Sequence, residues 1–261
     1  MTYQTLKLNA DSDVALLSFN RPEKRNALSP QVIEELLAAL DVVEAGSARV
    51  LIITGEGSAF CAGMDLEHLK SLAGHSDREN LADARRTVRM FRRLWSFPKP
   101  LIAAVNGSAL AGGCGIATLC DFTLAAEEAR FGYTEVKIGF IPALISAFVE
   151  LQVPEKVARD LLLSGRLFNA EEARSLGLVT RVVPAAELLQ AAKDLAATLV
   201  ANSPGSLLAT KRLLIRGAEA EIDRRLELGV AESVAIRSTA EFREGLAAFL
   251  EKRKPKWPVG S

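Results

Sequence analysis

Two glycine-bearing segments carry the residues best suited to chemistry in this chain: FCAGMDL at 60–66 and NGSALAGGCGIATLCD at 106–121. Each follows an apolar, strand-like run and opens toward a helical pattern, an arrangement that leaves backbone N–H groups facing outward. Glycine lets the main chain approach a bound molecule closely, and free N–H groups at a helix start attract negative charge. Neither segment fits a dinucleotide fingerprint or a Walker loop. The chemistry they suit is the holding of a small anion, although tight strand-to-helix turns of any α/β protein share the pattern.

The other reactive side chains are sparse. Cys61, Cys114 and Cys120 form no C-x-x-C pair, and with the isolated His68 and His75 they give no metal-ligand spacing, so neither a metal nor a disulfide is expected. Cys61 and Cys114 flank the glycine turns, but no histidine stands at a partner spacing, and both read as small buried hydrophobes. His68 and His75 lie in the polar stretch EHLKSLAGHSDREN, which reads as a solvated mobile loop or frayed helix. Asp65 and Asp121 follow the two turns and read as hydrogen-bond acceptors of a turn or helix start.

The elements that must position these segments follow an α/β rhythm. Val14 to Phe19 and Val50 to Thr54 read as buried strands, with a helix between them: Ser29 suits the N-cap, Pro30 the first helical position, and Val32, Ile33, Leu36, Leu37 and Leu40 one face. Leu81, Ala84, Val88, Phe91 and Leu94 repeat the helical spacing until Pro98-Lys-Pro100 stops it before a strand at 101–105. Residues 112–119 predict a short helix and 122–125 a further strand, giving a parallel sheet with right-handed crossovers. Asn169 reads as an N-cap, Gly177 as a helix stop, and 204–250 as almost wholly helical. No repeat or linker divides the chain, so residues 1–200 form the α/β core and 201–261 a helical region of the same domain.

Composition bounds the function. With 261 residues, 49% apolar and 25% charged, the chain can bury a substantial core, and disorder fits this composition poorly. Thirty-two basic residues balance thirty-two acidic ones, so no net field gathers nucleic acid or an anionic membrane. The N-terminus carries no signal-peptide pattern and no apolar run is long enough for a membrane span, so the expected location is the cytoplasm.

Six motifs together make the chain resemble the crotonase, or enoyl-CoA hydratase/isomerase, superfamily: NRPEKRNAL at 20–28, FCAGMDL, the 106–121 stretch, FGYTEVKIGFIP at 131–142, SGRLFNAEEARSLGLVTRVV at 164–183, and FLEKRKPKW at 249–257. The resemblance spans nearly the whole chain. It implies an α/β fold of the crotonase type, a spiral of ββα units with a helical C-terminal region, packed as homotrimers or paired trimers. It also implies an acyl-CoA thioester as the substrate, with CoA entering only as part of it and no other cofactor.

In this family the thioester oxygen sits between two backbone amides, which motif matching places at Met64 and Gly112. Glu135 matches the catalytic glutamate of the hydratases and a similarly placed base of some isomerases. The hydratases carry a second glutamate where this chain has Gly115. A single carboxylate suits moving a proton from one carbon to another, so hydration and isomerisation both stand, with thioester hydrolysis, retro-aldol cleavage, decarboxylation or a silent acyl-CoA-binding role as alternatives. The resemblance further implies that Arg25 and Ala27 lie near the pantetheine and nucleotide, that Ala62, Asp65 and Leu66 line the same channel, and that Tyr133 and Ile138 adjoin the substrate. The basic EKRKPKW run reads as a solvated tail, or as a cap whose Lys252 or Lys254 meets phosphate. Apolar positions Leu226, Val230 and Val234 are expected to serve assembly.

Overall fold

The computed structural model describes residues 3–72 and 74–258. An antiparallel pair, β1 (Leu6–Asn9) and β2 (Val14–Phe19), opens the chain. Helix α1 (Pro30–Ala45) begins where the sequence predicts: the Ser29 side chain accepts from the Val32 N–H at 3.3 Å, and Pro30 takes a position that needs no intrahelical donor.

A unit then repeats in which one strand joins a large sheet, a very short strand joins a small sheet, and helix follows. The first is β3 (Val50–Gly55), β4 (Ala59–Cys61), α2 (Leu66–Leu72) and α3 (Asp77–Trp95). The second is β5 (Leu101–Val105), β6 (Ser108–Leu110) and α4 (Gly112–Leu119), and the third is β7 (Phe122–Ala126), β8 (Arg130–Gly132), a 3₁₀ turn at Glu135–Ile138, α5 (Ala143–Gln152) and α6 (Glu155–Ser164). Then come β9 (Phe168–Asn169), α7 (Ala170–Ser175), β10 (Arg181–Val183), α8 (Leu188–Ala201), α9 (Pro204–Ile236) and α10 (Ala240–Leu250). The architecture is the ββα spiral with a helical C-terminal region.

The large sheet runs β1-β2-β3-β5-β7-β10 and the small one β4-β6-β8-β9. Every neighbouring pair from β2 to β10 in the large sheet is parallel, as are β4-β6 and β6-β8 in the small one. Parallel sheets need cover on both faces. One face of the large sheet packs into the main core with α1, α3, α4 and α5, and the other, through Val50, Ile52, Ile102 and Leu124, meets Leu188, Ala192 and Ala196 of α8.

The structure departs from the sequence reading in two places. The polar stretch read as a mobile loop or frayed helix is helical, not loop, over α2 and the start of α3, and Ser76 and Glu79 fix the latter with a reciprocal capping box. Leu226 and Val230 of α9 are buried in the chain's own core, with Val234 packed against it, so they are not free to serve assembly; Leu213 and Leu214, each 72% exposed, are the most open large apolar residues of that helix, ahead of Leu228 and Leu208. No described helix is long and apolar enough to cross a membrane.

Candidate active site

The site forms where three of the four short strands of the small sheet end. Met64 follows β4, Gly112 follows β6 and Glu135 follows β8, and because β4-β6-β8 are adjacent and parallel, their C-terminal turns lie side by side. Glycines allow the close packing. Gly63 has φ +89°, and a Cβ there would come within 3.0 Å of Ala111 Cβ and of the Leu110 carbonyl oxygen. A Cβ on Gly113 would stand 2.1 Å from the Cys61 carbonyl oxygen, so the start of α4 rests directly on the β4 backbone. The 20–28 loop ties in from outside: Leu28 N–H donates to Gly63 O at 2.7 Å, Asp65 N–H to Leu28 O at 2.9 Å, and Ala62 N–H to Arg25 O at 3.1 Å.

Ala111 holds φ 48° and ψ −124°, a conformation that costs a residue with a Cβ about 1–3 kcal/mol. Its N–H donates to Gly132 O at 2.7 Å, which anchors the turn to β8. The result is that Gly112 becomes the first residue of α4, where an N–H has no intrahelical acceptor. Among the described residues, neither Met64 N–H nor Gly112 N–H donates to a backbone carbonyl. Two donors thus remain unpaired beside a cavity of about 600 Å³ that both residues line.

Glu135 lines the same cavity. The residue is half-buried as a whole, but its Oε2 is enclosed and has no hydrogen-bond partner among the described residues. Burial pushes the carboxyl up to about 7, against a smaller opposing effect of its own backbone N–H. A carboxyl poised there holds both protonation states near neutrality, which suits a group that takes a proton and gives it back.

Arg25, Ala27, Ala62, Leu66 and Ile138 also line the cavity, and Lys24 and Lys137 join Arg25 on its wall. Arg25 has φ 50°, held in the left-handed turn that ends the Pro22–Lys24 helical turn. Three expected site residues lie elsewhere. Asp65 is buried against Arg21 at 2.9 Å and caps α2 by accepting from the Glu67 N–H, so it braces the turn rather than facing the channel. Tyr133 is fully buried, its hydroxyl 3.2 Å from Thr118 Oγ1, and it supports α4 from behind. Gly115 is buried off the cavity wall, and a Cβ there would lie 2.6 Å from Ile145 Cδ1 and 3.1 Å from Phe91 Cε1, so Ile145 fills the space a side chain at 115 would enter. Of the C-terminal basic run, Arg253 and Pro255 line the cavity, not Lys252 or Lys254, and Arg253 is paired with Glu244.

Burial decides the roles of the remaining candidates. All three cysteines are buried and free, and desolvation pushes Cys61 and Cys114 up to about 12, which removes them as nucleophiles. Asp121 accepts from the Leu101 N–H at 2.7 Å and pairs with Lys211, a structural role. His68 corrects the surface reading: its side chain is 11% exposed, lines the cavity, and places Nε2 2.7 Å from Asp83. Asp83 in turn lies 3.0 Å from Arg237, which also lines the cavity. Burial alone would raise the Asp83 carboxyl, but hydrogen bonding from His68 and the Arg237 charge bring it below its ordinary value, so it is an anion. Sequence spacing hides this cluster, because its members come from α2, α3 and the end of α9; the only signal is the histidine and acid content of a stretch that otherwise looks merely polar.

Fold and site set an enclosed carboxyl and two backbone N–H groups without backbone acceptors around one cavity. Residues 9–259 match the model of the enoyl-CoA hydratase/isomerase family. A protein from Thermus thermophilus carrying the provisional name enoyl-CoA hydratase is 44% identical over 245 residues, covering 94% of this chain and 97% of its own. A crotonyl-CoA hydratase from Syntrophomonas wolfei is 35% identical, covering 97% and 98%. The crystal structure of an enoyl-CoA hydratase/isomerase from Xanthobacter autotrophicus superposes with a TM-score of 0.89 at 32% identity, covering 99% of this chain and 100% of that one. The chain belongs to the enoyl-CoA hydratase/isomerase family.

Proposed function

We propose that the protein moves the double bond of an enoyl-CoA, with Glu135 carrying the proton. The ionised carboxylate takes a proton from C2 of a 3-enoyl-CoA; the electron pair passes to the thioester oxygen, where Met64 and Gly112 N–H groups stabilise it; Glu135 then returns the proton at C4, the thioester carbonyl re-forms and the double bond lies between C2 and C3. Each preorganised donor in such a site is worth roughly 10²–10³ in rate. The α4 dipole adds to them. Arg25, Lys24 and Lys137 supply cations for the CoA phosphates. The observation that carries this reading is the enclosed, unpartnered Glu135 Oε2 in a cavity also lined by Met64 and Gly112, whose N–H groups donate to no backbone carbonyl among the described residues. Hydration is the second reading, favoured by the hydratase names of the relatives above, and it would require Glu135 both to activate water and to protonate the α-carbon.

Supplying 3-enoyl-CoAs and crotonyl-CoA to the purified protein and identifying products tests this directly. Isomerisation is expected to exceed hydration; turnover of neither would overturn the proposal. Gly115→Glu alone is expected to lose stability, because its Cβ meets Ile145. Gly115→Glu with Ile145→Ala makes room for the second carboxylate and is expected to raise hydration relative to isomerisation, and an unchanged ratio in the folded double variant would show that the missing carboxylate is not what limits hydration.

Assembly as a homotrimer or a pair of trimers is part of the same reading, supported by the exposed Leu213 and Leu214 on α9. Light scattering is expected to show three or six chains, and a stable monomer at micromolar concentration would refute it.

A further inference from the structure

We propose that the buried polar cluster on the cavity wall recognises a carboxylate carried by the acyl chain, so that the preferred substrate is the CoA thioester of an unsaturated dicarboxylic acid. This rests on the reading of the cavity as an enoyl-CoA site. The cluster is His68, Ser233 and Arg237, all lining the cavity, with Asp83 and Asn80 behind them.

The donor count of Arg237 leaves one group over. Nη1 donates to Asn80 O at 3.2 Å and to Asn80 Oδ1 at 3.1 Å; Nη2 reaches Ser233 Oγ at 3.5 Å and stands 3.0 Å from Asp83 Oδ2. Nε is buried with no hydrogen-bond partner among the described residues, in a side chain only 2% exposed, and Asp83 Oδ2, which meets Nη2 as an ion pair, is likewise without a hydrogen bond. A buried guanidinium ordinarily has its donors satisfied, and a network that served only to tie α2, α3 and α9 together would close on itself.

His68 also has an open atom. An ionised carboxylate only accepts, so Nε2 carries the hydrogen that meets Asp83, and Nδ1 has no described hydrogen-bond partner. The charges point the same way. One carboxylate, Asp83, faces two guanidinium groups, Arg237 at 3.0 Å and Arg86 at 3.3 Å, together with the imidazole. Arg86 has a second partner, Glu34 at 3.2 Å, but that pair is solvent-exposed and screened. Glu135 is the only carboxylate among the described residues lining the cavity. A methyl-ended chain packed here would dry these groups without replacing their water, whereas a terminal carboxylate supplies the missing acceptor and the missing negative charge.

The test compares glutaconyl-CoA and its longer homologues with methyl-ended 2- and 3-enoyl-CoAs of the same carbon number, by kcat/KM, alongside calorimetry with the saturated thioesters of both series. At the best-fitting length the carboxylate-bearing member is expected to lead by about tenfold to a hundredfold in both measurements, the range of a charged hydrogen bond. Equal or better performance of the methyl-ended series at every length overturns the proposal. Calorimetry keeps recognition distinguishable from reaction: binding that favours carboxylate without any turnover supports the recognition while removing the reaction. Arg237→Met is expected to bring the ratio close to one, and His68→Leu to reduce it, which covers the case in which the arginine variant does not fold. A folded variant of either residue with the full ratio assigns the preference elsewhere and overturns the proposal.

Discussion

Glu135→Gln is expected to lower turnover by about 10²–10⁴, the range of a lost general acid–base group, while leaving acyl-CoA affinity within a few fold. The amide keeps the size of the side chain but cannot accept the substrate proton. In the parent, kcat/KM for isomerisation is expected to rise with pH through about 7, where burial places the Glu135 carboxyl, because the ionised form is the base. The variant's residual rate should lose that limb. Full turnover in a correctly folded Glu135→Gln would remove the catalytic assignment.

The same substitution has a stability consequence of defined sign. The folded-state pKa of about 7 lies above the ordinary 4.5, so between those values the native state holds a proton that the unfolded chain has released. Parent stability therefore falls as pH rises through this window, and the full penalty, on the order of 3 kcal/mol, is present above it. Glu135→Gln has no charge to bury. It is expected to melt above the parent well above pH 7, and the difference should shrink as pH falls from about 7 to 4.5 and level off below that. A melting difference independent of pH would show that the Glu135 carboxyl is not desolvated as its enclosure implies.

Much of this arrangement is legible in the sequence. The Ser29-Pro30 start of α1, the buried runs of β2, β3 and β5, and the Asn169 cap, which accepts from the Glu172 N–H at 2.8 Å, all act through neighbours in sequence, and local pattern reports them. The three-residue strands β4, β6 and β8 are not legible, because a period of two cannot show in three residues, yet their ends position Met64, Gly112 and Glu135. Motif resemblance, not periodicity, reaches those residues. The cluster at His68 escapes local pattern for a related reason: His68 and Arg237 are 169 positions apart, and only the packing of α9 against α3 brings them to one wall. Tyr133 and Asp65 show the converse, residues inside site motifs whose side chains turn away to brace α4 and α2.

Gly113→Ala tests whether the two backbone donors work as a pair, and it touches no side chain that contacts substrate. The added Cβ would lie 2.1 Å from the Cys61 carbonyl oxygen and 2.8 Å from both Cys61 C and Cβ, so most of the clash is with β4 backbone that cannot rotate aside. The start of α4 must move away from β4, and Gly112 N–H moves with it, away from Met64. The far side of α4 offers little room: Thr123 Oγ1 donates to Ala117 O at 2.8 Å and Gln152 Nε2 to Thr118 O at 2.7 Å. Displacing one donor from where charge develops is expected to cost about 10²–10³ in turnover, with some loss of melting temperature. The pH dependence should keep its shape, because Glu135 is untouched, and this separates the effect from that of Glu135→Gln. Gly217→Ala is the control, since a Cβ at that position of α9 meets nothing within 4 Å and is expected to stabilise the helix by about 0.5–1 kcal/mol. Parent-like turnover in a folded Gly113→Ala would mean that the thioester oxygen is not held between the two turns.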